Sequence, residues 1–466
     1  MIKFGTGGWR AIIADEFTKN NIQKLAQAIS MECKETPIVI SYDRRFLSDV
    51  AAHWLAEVFA GNGIKVLFID KAVPTPMTMF TVKQLNLEFG LTVTASHNPA
   101  IYNGIKVFTR GGRDATESVT DLFEKNLIGL KKINSINFEE GLVKNMISYY
   151  DPSNDYIDSI LSMIDTQSIR NANLKVLVDT MHGVSKTSLS IILNTTRCDV
   201  DIINDRHDTL FGGKLPSPAS ATLHKLQDLV KEGRYNIGIA TDGDADRIGI
   251  VDELGNFVHP NILISLIYYY LLEYKGWSGA AVRNLSTTHL IDRIAQDHQE
   301  DCIETPVGFK HITNGMEKSN ALIGGESSGG LTIRGHISGK DGIFAASLLV
   351  EMISVTHKGI HELVEELYER YGELFNIERD YRFSSDDKIQ IHKTLMVNKN
   401  LPTFNKKIEN ISYMDGLKIY FEDGSWISSR FSGTEPLLRI FAEANTENDV
   451  LELVTIFENY LSLKSI

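Results

Sequence analysis

The sequence predicts a multi-domain α/β fold, and three observations carry that expectation. The chain has 466 residues, well past the roughly 250–300 at which a single hydrophobic core stops growing, so three or four domains of ordinary size are expected. Short runs rich in β-branched residues alternate with stretches of helical spacing, the pattern of βαβ units. From about residue 385 the pattern changes to hairpin-like pieces and one last helix, which marks a separate α+β unit.

The runs at 37–43 (PIVISYD), 64–70 (IKVLFID), 90–96 (GLTVTAS), 174–180 (LKVLVDT) and 235–241 (YNIGIAT) are bounded by polar or glycine-containing turns. They read as buried parallel strands. Helical spacing runs over 20–31 and 219–231. Asp151-Pro152-Ser153 reads as a linker and helix start ahead of a helical pattern at 156–164, and the character changes again after Asp252. The expected units are therefore 1–150, 151–252, 253–375 and 376–466. A hairpin is expected around Asp423-Gly424 and a final helix over 448–461.

Hydrophobic residues make up 43% and charged residues 23%, an ordinary globular composition. No window approaches 18 uninterrupted apolar residues, and residues 1–10 lack the basic-then-apolar order of a signal peptide, so a cytoplasmic location is expected. Cys33, Cys198 and Cys302 lie far apart without metal-type spacing, which suits apolar fillers in a reducing compartment. The formal net charge of −13 argues against general nucleic-acid or anionic-membrane binding. A small phosphate ligand is still compatible with it, because such an anion responds to a few local Arg, Lys and N–H groups.

Four motifs carry chemistry. Thr94-Ala95-Ser96-His97-Asn98-Pro99 follows an apolar run directly and precedes Tyr102-Asn103-Gly104-Ile105-Lys106. A serine at a strand end faces whatever binds there. Serine is a poor nucleophile unaided, so phosphoryl transfer would require nearby cations or a metal and a group for the proton, which His97 and Lys106 could supply. An Asn-Pro turn with a capping serine is the other reading of the bare string. In Asp242-Gly243-Asp244-Ala245-Asp246-Arg247, three alternating carboxylates can converge on one hard cation such as Mg²⁺ or Ca²⁺. An EF-hand loop is excluded because its sixth position, counted from Asp242, is Arg247 where glycine is required. Arg247 offers a fork to a phosphate oxygen instead.

Ser429-Arg430-Phe431-Ser432-Gly433-Thr434-Glu435-Pro436, with Arg439 beyond it, combines small residues, hydroxyls and two arginines in the manner of a phosphate cradle. Gly324-Gly325-Glu326-Ser327-Ser328-Gly329-Gly330 suits paired hydrogen bonds to sugar hydroxyls, and Lys310 in the preceding VGFKH segment could face a phosphate. Each of these two is also readable as a tight or glycine-rich turn. Gly5-Thr6-Gly7-Gly8-Trp9-Arg10 reads as glycine turns and a buried tryptophan, with Arg10 an anion contact.

Taken in order, FGTGGWR, TASHNP, DGDADR, GESSG and RFSGTEP resemble the motifs of the α-D-phosphohexomutases, the family of phosphoglucomutase and phosphomannomutase, over essentially the whole chain. The resemblance implies four domains around a central cleft, three related α/β mixed-sheet domains plus a small C-terminal α+β clamp domain. It implies that Ser96 carries the phosphoryl group and that Asp242, Asp244 and Asp246 hold Mg²⁺ together with a phosphoserine oxygen at Ser96. Arg10, Arg247 and Lys106 would then surround the transferred group, with His97 and Lys106 as candidates for proton handling. Glu326 and Ser328 match the sugar-reading loop, and Arg430, Ser432, Gly433, Thr434 and Arg439 match the loop that holds the other phosphate. Ser327 occupies the variable middle position of the sugar loop, so the preferred sugar is not readable from it.

The activity so implied is interconversion of glucose 1-phosphate and glucose 6-phosphate through a hexose 1,6-bisphosphate, with small hexose phosphates as the only partners. The glucose type is expected because Gly7-Gly8-Trp9 and the VGFK segment look like its members. A phosphomannomutase or dual enzyme is the nearest alternative, and phosphoglucosamine mutase fits less well. A sugar-phosphate phosphatase with an aspartyl nucleophile near Asp242 is the alternative from another class, opposed by the Ser96 motif and the Arg430 loop.

Overall fold

A computed structural model describes residues 2–5, 7–382, 385–431 and 437–463. The first sheet holds β1 (Trp9–Ile12), β2 (Ile38–Tyr42), β3 (Val66–Ala72), β4 (Phe89–Val93), β5 (Tyr102–Thr109), β6 (Arg113–Asp114) and β7 (Ile147–Tyr149). The second holds β8 (Lys175–Asp179), β9 (Asp199–Ile203), β10 (Ile237–Thr241), β11 (Ile248–Val251) and β12 (Phe257–Val258). The third holds β13 (Ala281–Asn284), β14 (Cys302–Thr305), β15 (Ile323–Glu326) and β16 (Gly330–Ile333). The fourth is antiparallel throughout and is made of β17 (Phe375–Arg382), β18 (Ile408–Ser412), β19 (Leu417–Phe421), β20 (Trp426–Phe431) and β21 (Leu437–Ala444). The four-unit α/β architecture is thus the one the sequence led us to expect.

All five runs read as parallel strands form parallel pairs. The helix anticipated at 219–231 begins later, at His224, and runs to Gly233. Residues 219–222 instead close a tight turn, in which the Ala219 N–H donates to the Thr222 hydroxyl and the Thr222 N–H to the Ala219 carbonyl. The other helices fall close to their expected places, at Lys19–Ser30, Ser153–Met163 and Glu447–Leu461. Cys198 is buried, whereas Cys33 and Cys302 are only half-buried.

One arrangement recurs in the first three sheets. Three parallel strands (β3, β2, β4; β9, β8, β10; β14, β13, β15) end in an antiparallel partner, respectively β5, β11 and β16. The turn leading into that partner carries Ser96 in the first unit, the three aspartates in the second and the Ser327-Ser328 turn in the third. The turns come together because the units share an apolar core, with Met77 and Phe108 from the first, Ile160 and Ile239 from the second and Ile264 and Phe344 from the third.

The fourth unit has its own core around Leu395, Leu438 and Val454. Its attachment to the third is polar. The buried Lys418 ammonium donates to the Leu285 carbonyl and to Glu304 at 2.7 and 2.6 Å, and contacts the His289 ring. Glu304 also accepts from Arg283, and Glu443 accepts from the His289 N–H and the Trp426 indole. Burial raises the Glu304 carboxyl, but His289, Lys418 and Arg283 outweigh it and hold it well below its ordinary range. The stability from that carboxylate is therefore complete above the ordinary glutamate range and lost as pH falls through it.

Removing one partner of a buried pair costs about 3–5 kcal/mol, because a charge is left without compensation. In Lys418→Met, hydrogen exchange is expected to speed up in β19, β20 and the strands of the third sheet beside them, with the shared core of the first three units still protected. Unchanged exchange there would show that packing alone seats the fourth unit.

Candidate active site

Ser96 lies in the turn after β4, almost fully buried, at φ +53 in the left-handed region that non-glycine residues rarely occupy. Its hydroxyl donates to Asp242 Oδ2 at 2.8 Å and lies 3.4 Å from His97 Nδ1. The turn of the second unit reaches it because Gly243 has no side chain: a Cβ there would come within 2.8 Å of the Ser96 carbonyl oxygen.

Asp242, Asp244 and Asp246 are buried, and one carboxylate oxygen of each lies within 4.8 Å of the others. Three such charges together are costly without cations. Lys106, on β5, supplies one and donates to Asp244 and Asp246 at 2.7 and 2.6 Å. Arg10, on β1 opposite Gly104, is brought alongside, where Nη1 donates to Asn98 at 2.7 Å. The close approach of β1 depends on Gly8 at φ +114, since a Cβ there would meet the Ile105 carbonyl at 2.6 Å. The Arg247 N–H donates to Asp242 Oδ1 at 3.1 Å, and its Nε sits 3.9 Å from Asp246 Oδ1.

The charges divide the aspartates. Burial, together with Asp246 and Asp244, pushes the Asp242 carboxyl well up. Burial also raises Asp246, but Lys106, Lys340 and Arg247 prevail and hold it well below the usual range. His97 is pushed well down, first by Arg247, then by burial and by Arg10 and Lys340, so its ring is neutral. Lys106 is raised: burial opposes its charge, but Asp244 and Asp246 more than offset that and keep the ammonium protonated.

Asp244 Oδ1 and Asp246 Oδ1 are buried without any hydrogen-bond partner, and so is Arg247 Nε. Buried polar atoms are normally satisfied. An oxygen-only set with two orphaned carboxylate oxygens fits a hard divalent cation, and an orphaned guanidinium nitrogen beside it fits an anion.

In the third unit, Glu326 ends β15, buried, and accepts from the Ser328 hydroxyl at 2.9 Å. Lys310 pairs with the exposed Glu117 at 2.6 Å. In the fourth, Arg430 donates to Asp415 at 2.9 Å, and Asp415 also accepts the Val307 N–H, which ties the clamp strand to the VGFK segment. Arg439 pairs with Asp380 at 3.2 Å. Ser432, Gly433 and Thr434 lie outside the described residues.

The structure adds residues that the sequence reading passed over. The Thr75 hydroxyl donates to Asp244 Oδ2 at 2.6 Å, and Lys340 reaches Asp246 Oδ2 at 3.2 Å from the third unit. Asp43 and Arg45, just beyond β2, underlie the Ser96 turn. The last two stood at the end of a parallel strand, the same signal that singled out Ser96. Nothing in the strings around Thr75 or Lys340 marked them.

A buried hydroxyl, a cation-ready carboxylate cluster and a ring of arginine and lysine at the meeting of three α/β units form a centre for an anionic substrate. Family models for phosphoglucomutase/phosphomannomutase match the chain as alpha/beta/alpha domain I over residues 1–132, domain II over 154–255, domain III over 259–371 and the C-terminal domain over 394–459. A phosphoglucomutase/phosphomannomutase of Thermococcus kodakarensis is 30% identical over 97% of both chains. A probable phosphoglucosamine mutase of Pyrococcus furiosus is 32% identical over 97% of this chain and 95% of its own. The crystal structure of a putative phosphomannomutase from Thermus thermophilus is 27% identical, with a TM-score of 0.86 over 99% of each chain. The chain belongs to the phosphoglucomutase/phosphomannomutase family and is a phosphohexomutase, an isomerase.

The contact at Gly243 gives a test of the geometry. A methyl group there forces the serine and aspartate turns apart, and a misplacement of about 1 Å costs roughly 100-fold in rate. Gly243→Ala is expected to lower kcat by about that factor with little change in the thermal midpoint. A wild-type kcat would mean that the two turns have slack.

Proposed function

We propose that the chain interconverts glucose 1-phosphate and glucose 6-phosphate, with Ser96 as the phosphoryl carrier. The observation that carries this reading is the Ser96 hydroxyl, fixed 2.8 Å from Asp242 inside a cage of Arg10, Lys106, Arg247 and Lys340. Asp242, Asp244 and Asp246, with an oxygen of phosphorylated Ser96, would hold Mg²⁺, which when bound neutralises charge on the transferring group. Arg10 and Arg247 draw the phosphoryl oxygens in and hold them. Transfer breaks the bond from phosphorus to Ser96 Oγ and forms one to the free sugar hydroxyl. His97, neutral and 3.4 Å from Oγ, is the group placed to pass the proton there, because the Lys106 ammonium is committed to Asp244 and Asp246.

The product of that step is a hexose 1,6-bisphosphate, which turns over so that its other phosphate returns to Ser96. Glu326 and Ser328 bind the sugar hydroxyls. Lys310, Arg430, Arg439 and the 432–434 segment hold the phosphate that is not being transferred. The pairs that Lys310, Arg430 and Arg439 make with Glu117, Asp415 and Asp380 are partly exposed, and such pairs are worth about 0–1 kcal/mol, so a phosphate displaces them readily.

An amino sugar is a second reading, favoured by the printed names of relatives from Pyrococcus furiosus and from Sulfurisphaera tokodaii, the latter a phosphoglucosamine/phosphogalactosamine mutase at 29% identity. Steady-state kinetics with the 1-phosphates of glucose, mannose, glucosamine and N-acetylglucosamine separate these readings. The highest kcat/KM is expected for glucose 1-phosphate, and a preference for glucosamine would overturn the sugar assignment alone.

Ser96→Ala should lose nearly all turnover, and peptide mapping of the parent should find phosphate on Ser96. Full activity in Ser96→Ala would remove the serine from the mechanism. Chelation should abolish turnover and Mg²⁺ restore it, while Mn²⁺ binding read by electron paramagnetic resonance should weaken at least tenfold in Asp244→Asn. Undiminished turnover after exhaustive chelation would refute the metal assignment.

A further inference from the structure

We infer that Arg45 is the positioning residue that sets the geometry of the Ser96 turn. The turn between β4 and β5 leaves the strand ladder, and one buried guanidinium collects its carbonyls. Arg45 Nη2 donates to Ser96 O and Asn98 O, both at 2.6 Å, and Nη1 donates to Pro99 O at 3.0 Å and Tyr102 O at 3.1 Å. That uses all four terminal N–H groups of the fork, a pattern no lysine can reproduce.

Asp43 completes the grip from the other side. Its Oδ2 accepts the Thr94 hydroxyl at 2.6 Å, and that hydroxyl oxygen accepts the Ser96 N–H at 2.8 Å. Oδ2 also lies 3.5 Å from Arg45 Nε. Both backbone groups of Ser96 are thus tied to one buried ion pair, the carbonyl directly and the N–H through Thr94. The phenyl ring of Phe211, from the second unit, covers the guanidinium at 4.8 Å. Left-handed backbone costs a non-glycine residue about 1–2 kcal/mol, so Ser96 holds φ +53 only where its surroundings impose it.

The repeated architecture supplies an internal control. Asp43 after β2, Asp179 at the end of β8 and Asn284 at the end of β13 stand at equivalent places and make the same turn. Each accepts the N–H of the residue two positions on, Arg45, Met181 and Ser286, at 2.9, 2.8 and 3.0 Å. The turn itself is therefore common scaffold. Among the three, an arginine follows only in the unit that carries the serine.

The inference rests on Ser96 as phosphoryl carrier, and one experiment tests the two separately. Dephosphorylated protein is mixed with glucose 1,6-bisphosphate, and the rate at which Ser96 gains phosphate is followed by intact mass in a single turnover. No phosphate on the parent protein would defeat the reading of Ser96. With the parent active, Arg45→Lys is expected to slow transfer about 100-fold, the cost of roughly 1 Å of misplacement. KM for glucose 1-phosphate and the Mn²⁺ affinity should stay within about threefold, and added guanidinium should partly restore transfer in Arg45→Gly. A purely structural role would instead lower the fraction of protein that takes up phosphate, with a normal rate in the remainder, and that result overturns the inference. So does parental transfer in a folded Arg45→Lys. If Arg45→Lys does not fold, Thr94→Val carries the test: it cuts the link to the Ser96 N–H, and transfer within about twofold of the parent in it overturns the inference, whereas about a tenfold loss at unchanged KM upholds it.

Discussion

Three carboxylates buried within 4.8 Å of one another are the constraint on which the rest of this molecule depends. Left uncompensated, each would cost several kcal/mol in a dry interior. The compensation is drawn from all three α/β units: Lys106 from the first, Arg247 from the aspartate turn itself and Lys340 from the third. Thr75, from the first unit, adds a hydroxyl to Asp244, while Gly342, which opens a buried helix of the third, donates its N–H to the Ala245 carbonyl. The cluster therefore acts as a keystone as well as a ligand set. No unit could be withdrawn without leaving charge stranded.

Two kinds of interface divide the labour. The first three units meet through a continuous apolar core, which holds the turns in fixed register. The fourth joins the third through Lys418, Glu304, His289 and Glu443, whose bonds depend on direction and distance. An apolar contact tolerates sliding better than a directional one, whereas a polar network has few good arrangements and exchanges between them in discrete steps. The clamp side of the cleft is thus attached by the interface better suited to switching position.

Much of this was legible in the sequence, for particular reasons. The strand runs at 37–43 and 235–241 are continuous apolar segments, and the motifs after the runs at 90–96 and 235–241 stand where open parallel sheets gather ligands. Ser96, Asp242, Asp244 and Asp246 could be found because their chemistry is local: a few adjacent residues make the pattern. Lys340 and Thr75 were not legible, since each acts on a carboxylate far away in the chain and sits in an ordinary string. Arg45 falls between the two, marked by its place after a strand but with partners some fifty residues on. The threefold repeat was hidden as well, because generic strands keep their arrangement while their residues diverge, and only the hydrogen-bonded register displays it.

That repeat assigns one task to each hairpin turn: nucleophile to the first, metal ligands to the second, sugar contacts to the third. A lineage can therefore alter residues 327–329, and with them its choice of hexose, without disturbing the chemistry at phosphorus. Sugar preference becomes the freely drifting trait and phosphoryl transfer the inherited one, which accounts for relatives at some 30% identity that carry the names of different sugars on one shared scaffold.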